Sequence, residues 1–168
     1  MISIDTIKLL VQSGLKAPSA DNSQPWCFEW DGNALSVIYD IARVQGQTFP
    51  ANSPATLLSL GATIENILEI SKCYGFTANL VCPIESLSKI YSGAKISFRS
   101  ANNPEFTKPS VTHPVFDRHT NRFAYHKTAL PQPVVNHSSI FTENCARLVI
   151  IDQKSVIHKI ALLIRLAS

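Results

Sequence analysis

The chain has 168 residues, 45% of them hydrophobic and 16% charged, with a formal net charge of +3. That length and balance describe one globular domain with a sizeable core and exclude a disordered chain. Lys and Arg are scattered and form no basic run, which argues against a nucleic-acid surface yet leaves enough cations for the phosphate of a small ligand. The four cysteines are Cys27, Cys73, Cys82 and Cys145. They include no C-x-x-C pair and have no His at metal-ligand spacing, so no metal is expected. Cys27, Cys82 and Cys145 lie in or beside apolar strand-like runs, where a buried inert thiol is the usual outcome, and a reducing cytoplasm is the expected compartment. No basic segment precedes a long apolar core, and no apolar stretch approaches the roughly 18 residues of a membrane span. Neither a secretory signal nor a membrane partner is expected.

Ile4 to Leu15 reads as a helix, because Ile7, Leu10, Val11 and Leu15 make one apolar stripe. Ser3 or Asp5 can cap its start, and Gly14 suits its end. A polar, proline-bracketed loop follows, Ala17-Pro18-Ser19-Ala20-Asp21-Asn22-Ser23-Gln24-Pro25-Trp26. Trp26 to Trp30 and Leu35 to Tyr39 alternate about the turn signal Asp31-Gly32-Asn33 and predict a hairpin. Asp40 to Pro50 has no period and reads as loop, with Arg43 either a solvated charge, the favoured reading, or facing a ligand.

Ser53-Pro54 opens the clearest helix, since Ser at the N-cap and Pro at the first helical position are favoured starting chemistry. Leu57, Leu60, Gly61, Ile64, Ile67 and Leu68 form its apolar face, with Thr63, Glu65 and Asn66 off that face or at its border. Lys72 and Gly75 mark its end. Gly61 inside the helix suggests close approach by another backbone. Phe76 to Cys82 and Ile90 to Arg99 read as strands about a turn at Pro83 to Ser86. The segment 100–114 is Pro-rich and reads as an extended crossing segment. Leu130 to Pro133 leads into a short helical turn. Arg147 to Ile151 reads as a buried central strand, and Asp152 to Ala167 as a helix with Val156, Ile157, Ile160, Ala161 and Ile164 on its face. Leu162, Leu163 and Leu166 make that last helix apolar nearly all round, which points either to a partial chain or partner surface, or to a fraying terminal helix.

Two constellations could carry chemistry. The loop offers Ser19, Asp21, Asn22, Ser23 and Gln24 together on a backbone stiffened by Pro18 and Pro25. Neutral donors and acceptors of this kind suit an uncharged polar heterocycle better than a metal or bare phosphate. The plain alternative is a turn-rich connection. The second cluster is Arg118-His119-Thr120-Asn121-Arg122-Phe123. In an extended backbone Arg118, Thr120 and Arg122 point to one side, two guanidinium forks with a hydroxyl between them, which is a good phosphate receptor. The alternative there is a charged surface segment paired with nearby acids such as Asp117. His119 has no Ser or Cys nucleophile in a recognisable elbow to serve, so no catalytic side chain is assigned. There is also no G-x-G-x-x-G, Walker loop or H-E-x-x-H. A flavin needs none of these.

Ala17-Pro18-Ser19-x-x-Asn22-x-Gln24-Pro25-Trp26 resembles the A-P-S-x-x-N-x-Q-P-W motif of the FMN-dependent nitroreductase family. Arg118-x-Thr120-Asn121-Arg122 resembles that family's R-x-[ST]-x-[KR] flavin element. The order, loop before arginine element, is similar to the Acg-like branch, in which two nitroreductase-like halves are fused, as is Leu60-Gly61-Ala62-Thr63-Ile64-Glu65-Asn66 after the hairpin. The resemblance implies an α+β, nitroreductase-like fold with an antiparallel-rich central sheet flanked by helices. It further implies a single domain over 1–168 that is incomplete, and a homodimer or pseudo-dimer with a missing C-terminal half. By the same resemblance Arg118 and Thr120 hold the FMN phosphate, and Arg122 lies near the N1/O2 edge of the isoalloxazine. Pro18, Ser19 and Asn22 meet the flavin from the facing half, while Gln24 and Trp26 fix the loop. The implied reaction passes electrons from NAD(P)H through FMN to a small-molecule acceptor, a nitroaromatic or quinone. Storage of FMN without turnover, or a non-catalytic half-domain that needs a partner, are the rival expectations.

Overall fold

The computed structural model describes residues 2–44, 48–82, 93–101, 113–120, 123, 128, 131–134, 149 and 151–167. The chain divides into two compact units, Met1–Asn121 and Arg122–Ser168. In the first unit, helix α1 (Ile4–Leu15) begins at the N-cap Ser3, whose hydroxyl accepts from Thr6 N–H at 3.1 Å. Strand β1 (Trp26–Trp30) and strand β2 (Ala34–Tyr39) form an antiparallel hairpin, Trp26 opposite Tyr39 and Trp30 opposite Leu35. The Asp31 carboxylate closes the turn by accepting from Asn33 N–H at 2.9 Å and Ala34 N–H at 2.8 Å. Those two backbone donors, ahead of the Lys95 charge, hold its carboxyl below the ordinary carboxylate range.

A short helix, α2 (Ile41–Val44), follows where loop was expected. Asp40 explains it, since its carboxylate accepts from Ala42 N–H at 3.1 Å as a local cap. Helix α3 (Pro54–Cys73) starts as expected, with Ser53 accepting from Thr56 N–H at 3.2 Å. Strands β3 (Phe76–Val81) and β4 (Ala94–Ser100) are antiparallel to each other, and β4 also pairs with β2. The sheet order is β1-β2-β4-β3. Gly93 leads into β4 at φ +132, where an added Cβ would stand 2.6 Å from Val37 O, so the close β2–β4 approach requires glycine there. The architecture is α+β, an antiparallel sheet with α1 and α3 packed on each other beside it, as expected. Leu35, Val37 and Ile96 of the sheet meet Leu10, Ile67 and Ile70 of the helices in one core.

Two helix faces differ from the sequence reading. On α1 the buried residues are Ile7, Leu10, Ser13 and Gly14, while Leu15 is exposed. On α3 Leu57 and Gly61 are exposed, and Thr56, Ser59, Thr63 and Ser71 are buried instead. Hydroxyls can occupy the core because each returns a bond to a carbonyl. Ser59 donates to Ala55 O at 2.7 Å, Thr63 to Ser59 O at 3.0 Å, and Ser71 to Leu68 O at 2.7 Å. The close approach expected at Gly61 occurs at Gly14, where an added Cβ would lie 3.1 Å from Ile67 Cδ1; at Gly61 it would meet nothing within 4 Å.

Helix α4 (Pro114–Asp117) closes the first unit's ordered elements. The turn at 83–86 and the crossing segment after Ala101 lie outside the described residues. In the second unit 132–134 form a helical turn and helix α5 spans Lys154–Ala167, with Ile157, Ile160, Leu162, Leu163, Ile164 and Leu166 exposed. Most of the strand expected at Arg147 to Ile151 lies outside the described residues, and Val149 and Ile151 carry no regular structure.

Candidate functional site

The loop between α1 and β1 is held in an unusual backbone. Ala20–Asn22 make a single 3-10 turn, with Asp21 at φ 48, Asn22 at φ 55 and Gln24 at φ 47. Asn and Asp tolerate this left-handed region, but Gln rarely adopts it, and a residue before Pro is normally driven to extended backbone. Gln24 breaks both preferences and is held there from two directions. Its N–H donates to the Ser19 hydroxyl at 3.1 Å. Arg43, paired with Asp40 at 3.1 Å, also reaches Ser23 O at 3.4 Å and Gln24 O at 3.5 Å. Arg43 is therefore a strap on the loop and not the purely solvated charge expected. Pro25 and Trp26 anchor the loop in the core. The buried Trp26 Nε1–H has no acceptor among the described residues.

Pro18 and Asn22 remain exposed and Ser19 is half-buried, so the loop presents these side chains outward. Pro18, Ser19 and Ala20 face Ala55, Leu58, Ser59 and Ala62 of α3 across an open, apolar cleft of about 280 Å³. Leu58 and Ala62 also line a neighbouring cleft of about 540 Å³ with Pro54, Leu57, Gly61 and Glu65. The exposed apolar side of α3 thus runs directly from the loop.

The second constellation arrives at the same place from far along the chain. Arg118 follows α4 in extended backbone, φ −61 and ψ 130, and its Nε donates to Lys16 O at 2.8 Å. Lys16 is the C-cap of α1 and immediately precedes the Ala17-Pro18-Ser19 motif. The bond satisfies a helix-end carbonyl and puts a cation at the negative end of the helix dipole. Arg118, His119 and Thr120 are all exposed, and His119 Nδ1 lies 3.3 Å from Asp117 O. The surface pairing of Arg118 with Asp117 does not form among the described residues. Arg122 and Asn121 lie outside them.

A further cluster was not legible along the chain. Glu69 and Cys73 sit at i, i+4 on the last turns of α3, and His113 caps α4 forty residues later. One ligand atom from each lies within 4.8 Å of the others, and all three residues are half-buried. The i, i+4 spacing was visible in the sequence, but nothing local pointed to His113. Cys27 is half-buried and Cys82 is exposed, so neither is the buried thiol expected; Cys145 lies outside the described residues. Among the described residues no helix is long and apolar enough to cross a membrane.

No family model matches the chain. Over 80 residues it is 34% identical to a protein from two strains of Mycobacterium tuberculosis named as a candidate NAD(P)H nitroreductase, Acg. That match covers 48% of this chain and 24% of the relative, so the matched stretch spans about a quarter of the relative's length. A candidate NADH dehydrogenase/NAD(P)H nitroreductase from Parabacteroides distasonis is 17% identical with a TM-score of 0.49, covering 73% of this chain and 88% of that one. An FMN-dependent nitroreductase from Clostridium difficile is 12% identical with a TM-score of 0.47, over 73% and 90% of the two chains. The 80-residue match is too short to span both motifs, which run from Ala17 to Arg122, and it is to a protein of the kind that the sequence resembles.

Proposed function

We propose that this chain is the FMN-binding portion of a nitroreductase-type oxidoreductase. Bound FMN would supply two-electron chemistry, linking NAD(P)H to a nitroaromatic or quinone acceptor. The observation that carries the reading is the 2.8 Å bond from Arg118 Nε to Lys16 O. It brings the guanidinium of one motif to the first residues of the other, although the two are about a hundred residues apart in sequence. The loop contains no Lys or Arg, and Arg118 adds a cation at its start as Arg43 does at its end.

The residues present fit the group. Among the described residues the Ser19 hydroxyl donates to no acceptor while its oxygen accepts from Gln24 N–H, and Asn22 offers an exposed amide whose oxygen accepts from Gln24 Nε2 at 3.4 Å. The exposed Pro18 and the apolar cleft wall suit the face of a planar ring. A cleft of about 280 Å³ is at the lower limit for a ligand site and holds only part of a mononucleotide. That supports a site completed by a second surface, either a second copy or a C-terminal half fused as in the Acg-like branch. Arg118 and Thr120 would hold the phosphate. Arg122 would stand near the N1/O2 edge, where a cation favours the charge that develops on reduction. No protein acid, base or nucleophile is required, so the chain's work is to bind, orient and exclude water.

FMN titration followed by visible absorbance and fluorescence tests the reading. Wild type should bind FMN, and Arg118→Ala should weaken binding at least about tenfold, the worth of one charge-assisted contact. Arg118→Lys should fall between them. Bleaching of bound flavin by NAD(P)H without oxygen identifies the oxidoreductase, and bound flavin that stays oxidised identifies storage. A chain that gains no FMN even with its partner half, or equal affinity in wild type and Arg118→Ala, defeats the assignment.

A further inference from the structure

We propose that Glu69, Cys73 and His113 form a three-ligand site for a thiophilic divalent cation of the Zn²⁺ class, which ties the end of α3 to the start of α4. The donor set is a thiolate, an imidazole and a carboxylate, all Zn²⁺ ligands, and their atoms already lie within 4.8 Å of one another. Zn²⁺ bond lengths of about 2.0 to 2.3 Å at tetrahedral angles require ligand atoms roughly 3.3 to 3.6 Å apart. A contraction of about one ångström closes the set, within the reach of side-chain rotation on three half-buried residues. With three protein ligands the fourth position is left to water.

What competes for these groups is weak. Glu69 Oε2 is paired with Lys72 Nζ at 3.2 Å, and both side chains are about half exposed, so the pair contributes little. His113 Nδ1 accepts from Val115 N–H at 3.3 Å, a long contact. Coordination through Nδ1 replaces that contact, and coordination through Nε2 needs a proton to move to Nδ1, so either route gives it up. Cys73 is held as a thiol by burial and then by Glu69 nearby. A bound cation reverses both effects, and the thiol proton leaves to solvent as the metal–sulfur bond forms.

The site would have a local structural effect. Arg118 lies five residues after His113, with α4 between them. A metal on His113 would fix the base of the segment whose guanidinium reaches Lys16 O.

The purified chain, freed of metal by a chelator in reducing buffer, is titrated with Co²⁺ and then Zn²⁺. The expected result is one Co²⁺ per chain with an intense near-ultraviolet thiolate-to-cobalt band that Zn²⁺ displaces. Cys73→Ser should abolish the band, while Cys27→Ser, Cys82→Ser and Cys145→Ser should keep it. His113→Ala and Glu69→Gln, checked for folding by circular dichroism, should each weaken Zn²⁺ binding by about tenfold or more. No band, a band that survives Cys73→Ser, a band lost in Cys82→Ser, or unchanged Zn²⁺ affinity in both His113→Ala and Glu69→Gln would overturn the proposal.

Discussion

Gly14 and Gly61 both lie inside helices, and replacing each with Ala should move stability in opposite directions. Ala is favoured over Gly in a helix interior by about 1 kcal/mol, through the entropy of the unfolded chain as much as through the helix itself. At Gly61 an added Cβ meets nothing within 4 Å. Gly61→Ala should therefore stabilise by roughly 0.5–1 kcal/mol. At Gly14 the same atom would lie 3.1 Å from Ile67 Cδ1, 3.2 Å from Ile67 Cγ1 and 3.3 Å from Phe28 Cζ. Ile67 is fully buried, so it cannot swing away into solvent. Overpacking of this kind costs about 1–3 kcal/mol, which exceeds the helical gain. Gly14→Ala should leave a net loss of about 1 kcal/mol, and Gly14→Val should cost more. Urea unfolding at constant m-value measures each difference, and the two alanine variants should separate by about 1.5–2 kcal/mol. Equal stabilisation by both would refute the reasoning, because it would mean that α1 and α3 are not in close contact at Gly14.

Asp31 offers a pH test. Its native carboxyl is held low by the Ala34 and Asn33 N–H groups, so its contribution is present at neutral pH and is lost as pH falls through its native pKa. Asp31→Ala should flatten the loss of stability with acid below about pH 4, and an unchanged acid slope would remove the turn carboxylate from the account. Thiol labelling should follow exposure and pKa. Cys82 is exposed, whereas burial first of all raises the Cys27 and Cys73 thiols. Peptide mapping after brief alkylation near pH 8 should find Cys82 modified well ahead of Cys27 and Cys73, and an equal rate at Cys73 would contradict the packing there. Finally, Gln24→Gly should raise stability by roughly 1 kcal/mol by relieving its left-handed backbone, measured as a shift in urea midpoint. A fall in stability would show that the Gln24 side chain contributes more than its backbone strain costs.

Much of the first unit was legible because local chemistry and burial agree there. Ser3 and Ser53 cap their helices, Asp31-Gly32-Asn33 turns the hairpin, and Leu35, Val37 and Tyr39 alternate into the core. Helix α3 was misread on its faces for a physical reason. Leu57 and Leu58 make it apolar outside the core as well, while its buried stripe includes hydroxyls satisfied by the helix's own carbonyls. Apolar counting cannot tell those two sides apart. Nor could it choose between Gly14 and Gly61, since close approach depends on the partner helix. At the site, the motifs named Arg118 and the loop, but the contact between them spans 102 positions and only folding supplies it. Arg43 as a strap on the loop, and His113 beside Cys73, were hidden for the same reason.

The way this chain places its glycines bears on what the loop is for. Gly32 and Gly75 have positive φ with open space around an added Cβ, Gly93 also answers the close β2–β4 approach, and Asn52 holds φ 63 outside the loop. In the loop the chain instead holds Asp21, Asn22 and Gln24 at positive φ. Asp and Asn adopt this region readily, whereas Gln24 costs about 1–2 kcal/mol there, a sizeable share of the roughly 5–15 kcal/mol by which a domain is stable. The Ser19 and Arg43 bonds and the buried Pro25–Trp26 anchor hold the backbone in place against that cost. On that backbone Asp21 and Asn22 are exposed, beside the cleft of Pro18 and Ser19 and near the Arg118 guanidinium. The Gln24 strain and the Arg118 bond thus meet at one loop, the first in its backbone angles and the second in a contact across the chain.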